Sequence, residues 1–280
     1  MQADSTTFVL VHGAFFASRR TNDIVGSVLG IVTLTSYADW RKHHAIHHAT
    51  SGNLDERGIG DIDTLTVCEY LAAPRRDRLI YRIKRHPLVL FVVAPAFQFF
   101  VRQRFPGPLA TRRERVGVAG STLAILIGLL VIRQAGALAQ FLLVSVPMAW
   151  LAAAIGMWLF YVQHQFEATY WKRSDGWTFE SACLVGSSFY DLPAWLHWCT
   201  GNIGYHHIHH LSPKIPNYRL RACAEALSVA SIENRVTLVQ SVRCMRLALW
   251  DEDQGVLVSF REVQARTINP FVRQSPKQPR

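Results

Sequence analysis

Cysteine is scarce in this 280-residue chain, and the few present lie far apart: Cys68, Cys183, Cys199, Cys223 and Cys244 form no C-x-x-C pair. That spacing excludes a disulfide framework and predicts reduced thiols in a cytosol-facing protein. A secretory leader is not predicted either, because residues 1–11 have neither a basic start nor an apolar core of sufficient length. Acidic residues are outnumbered, 20 Asp and Glu against 30 Lys and Arg, for a formal charge of +10. An excess of that size raises nucleic acid as a partner. The Lys and Arg sit beside apolar runs rather than among aromatics, so no nucleic acid is expected. An anionic membrane surface or an acidic protein fits better. No internal repeat is present apart from one short histidine pattern.

What the chain has in plenty is apolar residues, 50% of the total, with a positive mean hydropathy of +0.11. They are clumped, which predicts membrane segments. Residues 116–132 are continuously apolar and would make about 26 Å of helix, enough to cross most of a bilayer's hydrocarbon. After Arg133 and Gln134 the chain is apolar again as far as Val162. The short connection predicts a transmembrane hairpin, about 116–132 and 138–162. Its outer flanks are rich in Arg and its tip carries only Arg133, so both flanks are predicted to be cytoplasmic.

Residues 24–37 and 88–101, the latter interrupted by Pro95, are too short to span. They read as buried or membrane-surface helices. Residues 179–198 read as an interfacial helix. Residues 218–260, with Leu220, Ala224 and Leu227 at helical spacing, read as an amphipathic cap, and 264–280 as a disordered tail. The predicted fold is an all-α membrane protein, one domain over 1–263 built of a transmembrane helical hairpin and a cytosolic helical cap.

Against this background the 12 histidines are not scattered. The run 43–48 reads His-His-Ala-Ile-His-His, and 206–210 reads His-His-Ile-His-His. Both contain H-x-x-H-H: His44, His47 and His48 in one, His206, His209 and His210 in the other. On a helix, residues three and four apart share a face, so each cluster would aim three ring nitrogens at one place. Neutral imidazole suits zinc, iron, copper or nickel, and suits magnesium or calcium poorly. A single His-rich turn is compatible with a surface tract that binds stray metal; two copies with the same spacing argue against that. Zinc stays open, but a structural zinc closes with four ligands. Six imidazoles are too many for one ion, and two ions are the better count.

Two further histidines matter. His164 emerges from the second spanning segment on the side where the clusters lie, and reads equally well as a ligand or as an interfacial polar residue. His12 follows four apolar residues and, from the residues alone, reads as a core histidine. Asp61 and Asp63, in the Gly-rich loop after the first cluster, read as solvated loop charges rather than as ligands or imidazole partners.

Three stretches carry a family resemblance: WRKHHAIHHATSGNLD at 40–55, YVQHQFEATYW at 161–171 and GNIGYHHIHHLSPKIPNYRL at 201–220. In these the chain resembles the membrane fatty acid desaturases, specifically the acyl-lipid branch acting at the delta-12 (omega-6) position, over residues 8 to about 263. The resemblance implies an O2-dependent enzyme that inserts a cis double bond into an acyl chain through a cytosolic di-iron centre held by histidine. His44, His47 and His48 match the second histidine box, His206, His209 and His210 the third, and His164 an additional ligand after the last spanning helix. His43 and His207 fall outside the ligand pattern. His12 matches the first box, where the family has His-Asp-Cys-Gly-His. Four residues are missing here, about one helical turn, and the register shifts by only some 40°. His12 therefore fills one of the two positions and not both.

The implied set is eight imidazoles, one short of the family's nine, so weak or absent desaturation is expected. The family also has a helical hairpin before this box, where eleven residues precede His12 in this chain. Further implications are two iron ions, O2 as co-substrate, an acyl-lipid substrate entering from the membrane lipids, and electrons from a ferredoxin or cytochrome docked on the basic face. The protein would be a multi-pass integral protein of a bacterial inner membrane, with its metal site on the cytosolic face. A related hydroxylase or ketolase would use the same oxidant. A non-catalytic desaturase-like metal-binding membrane protein is the alternative from a different class.

Overall fold

The computed structural model describes residues 12, 13, 15–227 and 234–268. In chain order the helices are α1 (Arg19–Val32), α2 (Tyr37–Thr50), α3 (Val67–Ala72), α4 (Arg75–Lys84), α5 (Arg112–Gln134), α6 (Leu138–His164), α7 (Phe179–Leu184), α8 (Ala194–Cys199), α9 (His206–Leu211), α10 (Leu220–Leu227), α11 (Leu238–Cys244) and α12 (Phe260–Ile268). The strands are β1 (Leu65–Thr66), β2 (Phe189–Asp191), β3 (Arg235–Thr237), β4 (Leu247–Asp251) and β5 (Val256–Ser259). They form a three-stranded sheet in the order β1-β4-β5 and a parallel pair, β2-β3. The fold is thus mostly helical, as expected, but not all-α.

The two long helices, α5 and α6, cover the predicted spans and extend them to Arg112 and His164. Each is long and apolar enough to cross a membrane, and only 6% of its most apolar window is buried. A core helix of a soluble fold would be covered by protein, and these are not. Their bare Leu, Val, Ile, Phe and Met side chains associate the chain with a membrane. The turn between them is set by Gly136, whose φ of +73° is the left-handed conformation that glycine adopts without strain. Gly136 N–H donates to the Arg133 carbonyl and Ala137 N–H to that of Ile132, closing the end of α5.

Between α4 and α5 the chain is helical but irregular. Two π-helical stretches, Val89–Val93 and Phe97–Val101, flank the single turn Ala94–Ala96. Pro95 has no N–H to donate and its ring crowds the carbonyl four residues back; the wider turns on either side accommodate it. Trp150 Nε1 on α6 donates to the Val92 carbonyl at 2.8 Å and ties this segment to the long helix.

Several local readings are corrected. Residues 24–37 do not form one helix: α1 stops at Val32, Leu34 turns at φ +57°, and α2 starts at Tyr37. Residues 179–198 are α7, β2 and α8 rather than one interfacial helix. In 218–260, α10 buries Leu220 and Ala224 as the spacing predicts, but Leu227 is exposed, and β3, β4 and β5 follow. The β4-β5 hairpin turns through Asp251, whose Oδ1 accepts from the Asp253 and Gln254 N–H groups, and Gly255 at φ +65°. Helix α12 runs over Phe260–Ile268. The rest of the proposed tail, 269–280, lies outside the described residues. All five cysteines are unpaired.

Arg85 holds three segments together at the C-terminal end of α6. It belongs to the basic stretch 74–85, yet it is 4% exposed while Arg75, Arg76, Arg82 and Lys84 face out. Its guanidinium donates to the Asp63 carbonyl (3.2 Å), Gln165 Oε1 (2.8 Å), the Leu247 carbonyl (2.8 Å) and Tyr161 Oη (3.3 Å). A cation at this place also suits the C-terminal end of α6. Arg85→Leu would leave these buried acceptors short of a donor, so a loss of about 3 kcal/mol is expected. Thermal unfolding in detergent measures it; an unchanged melting temperature would refute the assigned role.

Candidate metal centre

The site is assembled at the end of α6. The last residue of that helix is His164, and the chain beyond it is fixed to both histidine clusters. Ser188 N–H donates to the Gln163 carbonyl at 2.9 Å, which sets β2 against the helix end. Tyr190 N–H then donates to the Gly204 carbonyl at 2.8 Å, holding the approach to α9 on β2. A Cβ at Gly204 would run into His197 and the Tyr190 carbonyl, so only glycine permits this approach. On the other side the end of α2 is stitched to the segment after α6: Leu54 N–H donates to the Lys172 carbonyl and Lys172 N–H to that of Gly52, both at 2.9 Å.

Helices α2 and α9 carry the two H-x-x-H-H patterns with the expected geometry, and all six rings are buried. The eight histidines singled out in the sequence converge in two groups of four. His12, His44, His48 and His209 form one, and His47, His164, His206 and His210 the other. Within each group the donor atoms lie within 4.8 Å of one another. Each group mixes both clusters and takes one ring from elsewhere, His12 or His164. His12 joins the first group: its ring centroid lies 4.9, 4.7 and 5.0 Å from those of His44, His48 and His209. Of the two histidines outside the pattern, His207 is fully buried near Phe189, and His43 is half-buried with Nδ1 on the Asp39 carbonyl at 2.8 Å.

The spacing of the ring nitrogens is what a shared ion needs. His164 Nε2 is 3.1 Å from His47 Nε2 and 2.9 Å from His206 Nε2, which is 3.1 Å from His210 Nε2. In the other group His48 Nε2 is 3.1 Å from His44 Nε2 and 3.2 Å from His209 Nε2. Nitrogens bound about 2.0–2.1 Å from one ion lie roughly 3 Å apart. Hydrogen bonds among the rings do not account for it. A neutral ring nitrogen carries either a proton or a lone pair, so in a run of four one N–H would have to serve two neighbours. A cation takes all four lone pairs. Trp40 stacks on His44 at 5.0 Å and Phe160 lies 5.2 Å from His47, giving the group apolar walls.

The fatty acid desaturase family model matches residues 10–241, most of the chain. A fatty acid desaturase of Bacillus subtilis (strain 168) is 45% identical over 253 residues, covering 90% of this chain and 72% of that protein. This chain belongs to the fatty acid desaturase family. More distant relatives include a chloroplastic omega-6 fatty acid desaturase of Spinacia oleracea, 27% identical over 93% of this chain and 59% of that one. An sn-1 acyl-lipid omega-3 desaturase (ferredoxin) of Synechocystis sp. is 28% identical over 77% of this chain. The chain spans 60% of the Synechocystis protein's length. Family members so named are oxidoreductases of lipid metabolism, and the paired His groups give this one a site able to hold metal.

Burial disfavours the charged form of six of these rings. It pushes His12 down to about 4, helped by the charge of Arg41, and pushes His44, His48, His206, His209 and His210 well below the ordinary imidazole value, helped by neighbouring rings. Neutral imidazole is the metal-binding form. The same shifts set a pH dependence. With folded values below the unfolded value of about 6.5, the unfolded chain binds more protons on the acid side. Stability of the metal-free protein is therefore fully present above about pH 6.5 and is lost as pH falls towards 4. Melting temperature against pH in chelator checks this; a flat profile from pH 7 to 4.5 would contradict it.

One site residue escaped the sequence reading. Asp61 is not a solvated loop charge: its side chain is only 6% exposed, and its Oδ1 lies 2.6 Å from His47 Nδ1. Gly60 makes this possible. At φ +77° it lies directly on α2, where a Cβ would press the His43 carbonyl and His47 Cβ at 3.0 Å. The glycine just before an acidic residue was the available signal. Asp63 does face out, 3.4 Å from Lys84 Nζ.

Proposed function

We propose that this chain is an O2-dependent membrane desaturase of fatty acyl chains, with two iron ions held by His12, His44, His48 and His209 and by His47, His164, His206 and His210. The observation that carries the reading is the convergence of eight buried ring nitrogens, in two groups of four, at the end of an apolar helix. The donor set fits: uncharged imidazole suits a redox metal, and eight rings are more than one ion uses. When bound, the iron pair supplies a dioxygen-derived oxidant strong enough to take hydrogen from an unactivated methylene, which no acid–base side chain can do. The protein's own part is to hold the rings in place, keep bulk water out, and present an acyl chain beside them. Overall an acyl –CH2–CH2– and O2, with two electrons and two protons, become a cis –CH=CH– and two waters.

In this reading α5 and α6 form a membrane hairpin with both ends on the cytosolic face, so the protein is multi-pass and the His groups face the cytosol. The domain runs over about 1–263. An acyl-lipid enters from the bilayer. The exposed Arg75, Arg76, Arg82 and Lys84 attract an acidic electron donor of the ferredoxin or cytochrome class. The test is expression in a host lacking the product, followed by mass spectrometry of its fatty acids. Loss of two hydrogens supports desaturation, gain of oxygen would make it a hydroxylase, and no product from an iron-loaded, reduced chain would sink the reading.

A further inference from the structure

We infer that Asp61 is a positioning residue for one of the two metal ions, the one held by His47, His164, His206 and His210; this rests on the reading above. A carboxylate only accepts hydrogen bonds, so its 2.6 Å contact puts the ring proton on His47 Nδ1. The lone pair is then left on Nε2, which faces His164 Nε2 at 3.1 Å. Asp61 thereby fixes both the tautomer and the tilt of the ring. The burial of the acid points the same way. The side chains of His47 and Asp61 are 2% and 6% exposed, and no Lys or Arg is paired with Asp61 among the described residues. Its second oxygen, Oδ2, is buried without a hydrogen-bond partner there, at a small cavity it shares with His164, Gln165 and Thr169.

An anion this deep is costly unless a positive charge answers it. An imidazole that gives its Nε2 lone pair to a metal carries no proton there and does not supply that charge. A divalent cation bound on the far side of the same ring does, and the carboxylate in turn makes the ring a better donor. A residue serving structure alone would do so more cheaply as Asn or Ser. Gly60 adds a second reason, since its left-handed conformation and close seat on α2 serve to bring the next residue under His47.

The test is cobalt(II) titration of the full-length, chelator-stripped protein in nanodiscs, followed by visible absorption, comparing the wild type with Asp61→Asn and Asp61→Glu. Asp61→Asn keeps the size and loses the charge. It is expected to weaken one of two cobalt equivalents by 10–100-fold, leave the other unchanged, and leave metal-free thermal stability near that of the wild type. Asp61→Glu is expected to recover part of the loss. Two equivalents bound by Asp61→Asn with wild-type affinity would overturn the inference. So would equal weakening of both equivalents together with a lower metal-free melting temperature, which marks a structural role. Two cobalt equivalents in the wild type without desaturation of any lipid by the iron form would sink the enzymatic reading while leaving the Asp61 role intact. No cobalt bound by the wild type would sink both.

Discussion

Replacing His206 with alanine is expected to abolish product formation and to remove one metal equivalent. His206 Nε2 has neighbours on both sides, His164 at 2.9 Å and His210 at 3.1 Å, so its removal opens the middle of the run rather than an end. Loss of a partner that only touches a ligand typically costs 10–100-fold in affinity or activity. Loss of the ligand itself should cost at least 100-fold by the same scale. Metal per chain by mass spectrometry and fatty acid analysis read the two effects separately. His207→Ala is the matched control: the neighbouring ring is as deeply buried but belongs to neither group. It should lower stability and leave metal per folded chain unchanged. If His206→Ala retained both equivalents and full activity, the grouping of ligands would be wrong.

The sequence displayed the part of this site that depends on local geometry. Three rings on one face follow from the helical period alone, so His44, His47, His48, His206, His209 and His210 were visible once α2 and α9 were expected to be helices. His164 was visible as a place rather than as a contact, because the apolar run of α6 ends there. The partition into two groups was not visible: it depends on how α2 and α9 cross, which no local pattern encodes. Asp61 and Arg85 were missed for a related reason. Six basic residues between 75 and 85 look alike in the chain, and only the one capping α4 turns inwards. Asp61 looks like its neighbour Asp63 until Gly60 folds the loop back on α2. The strands were hidden because runs as short as β4 and β5 carry too few periods to tell from a helix segment.

His12→Ala is expected to release the ion of the group formed by His12, His44, His48 and His209 and to leave the other group loaded. His12 is unlike the other seven. They sit on helices, whereas His12 lies in a turn ahead of α1, with Gly13 at φ +67°. Its ring packs against three others, and its Nε2 is buried without a hydrogen-bond partner among the described residues. Such a nitrogen is costly to bury for packing alone. The resemblance also implies that the first box is shortened here, with one histidine in place of two. Four rings in each group suffice to hold an ion, but the His12 group depends on its least anchored member. Its ion should therefore be the weaker of the two, and His12→Ala should weaken it by a further factor of at least 10–100. If the proposed pair of ions carries the reaction, activity should fall to the background. Reinserting Asp-Cys-Gly-His after His12 should act in the opposite sense, raising iron content and product together. Full activity in His12→Ala, with two metal equivalents still bound, would show that the first box is dispensable and that His12 is a buried ring without a ligand's role.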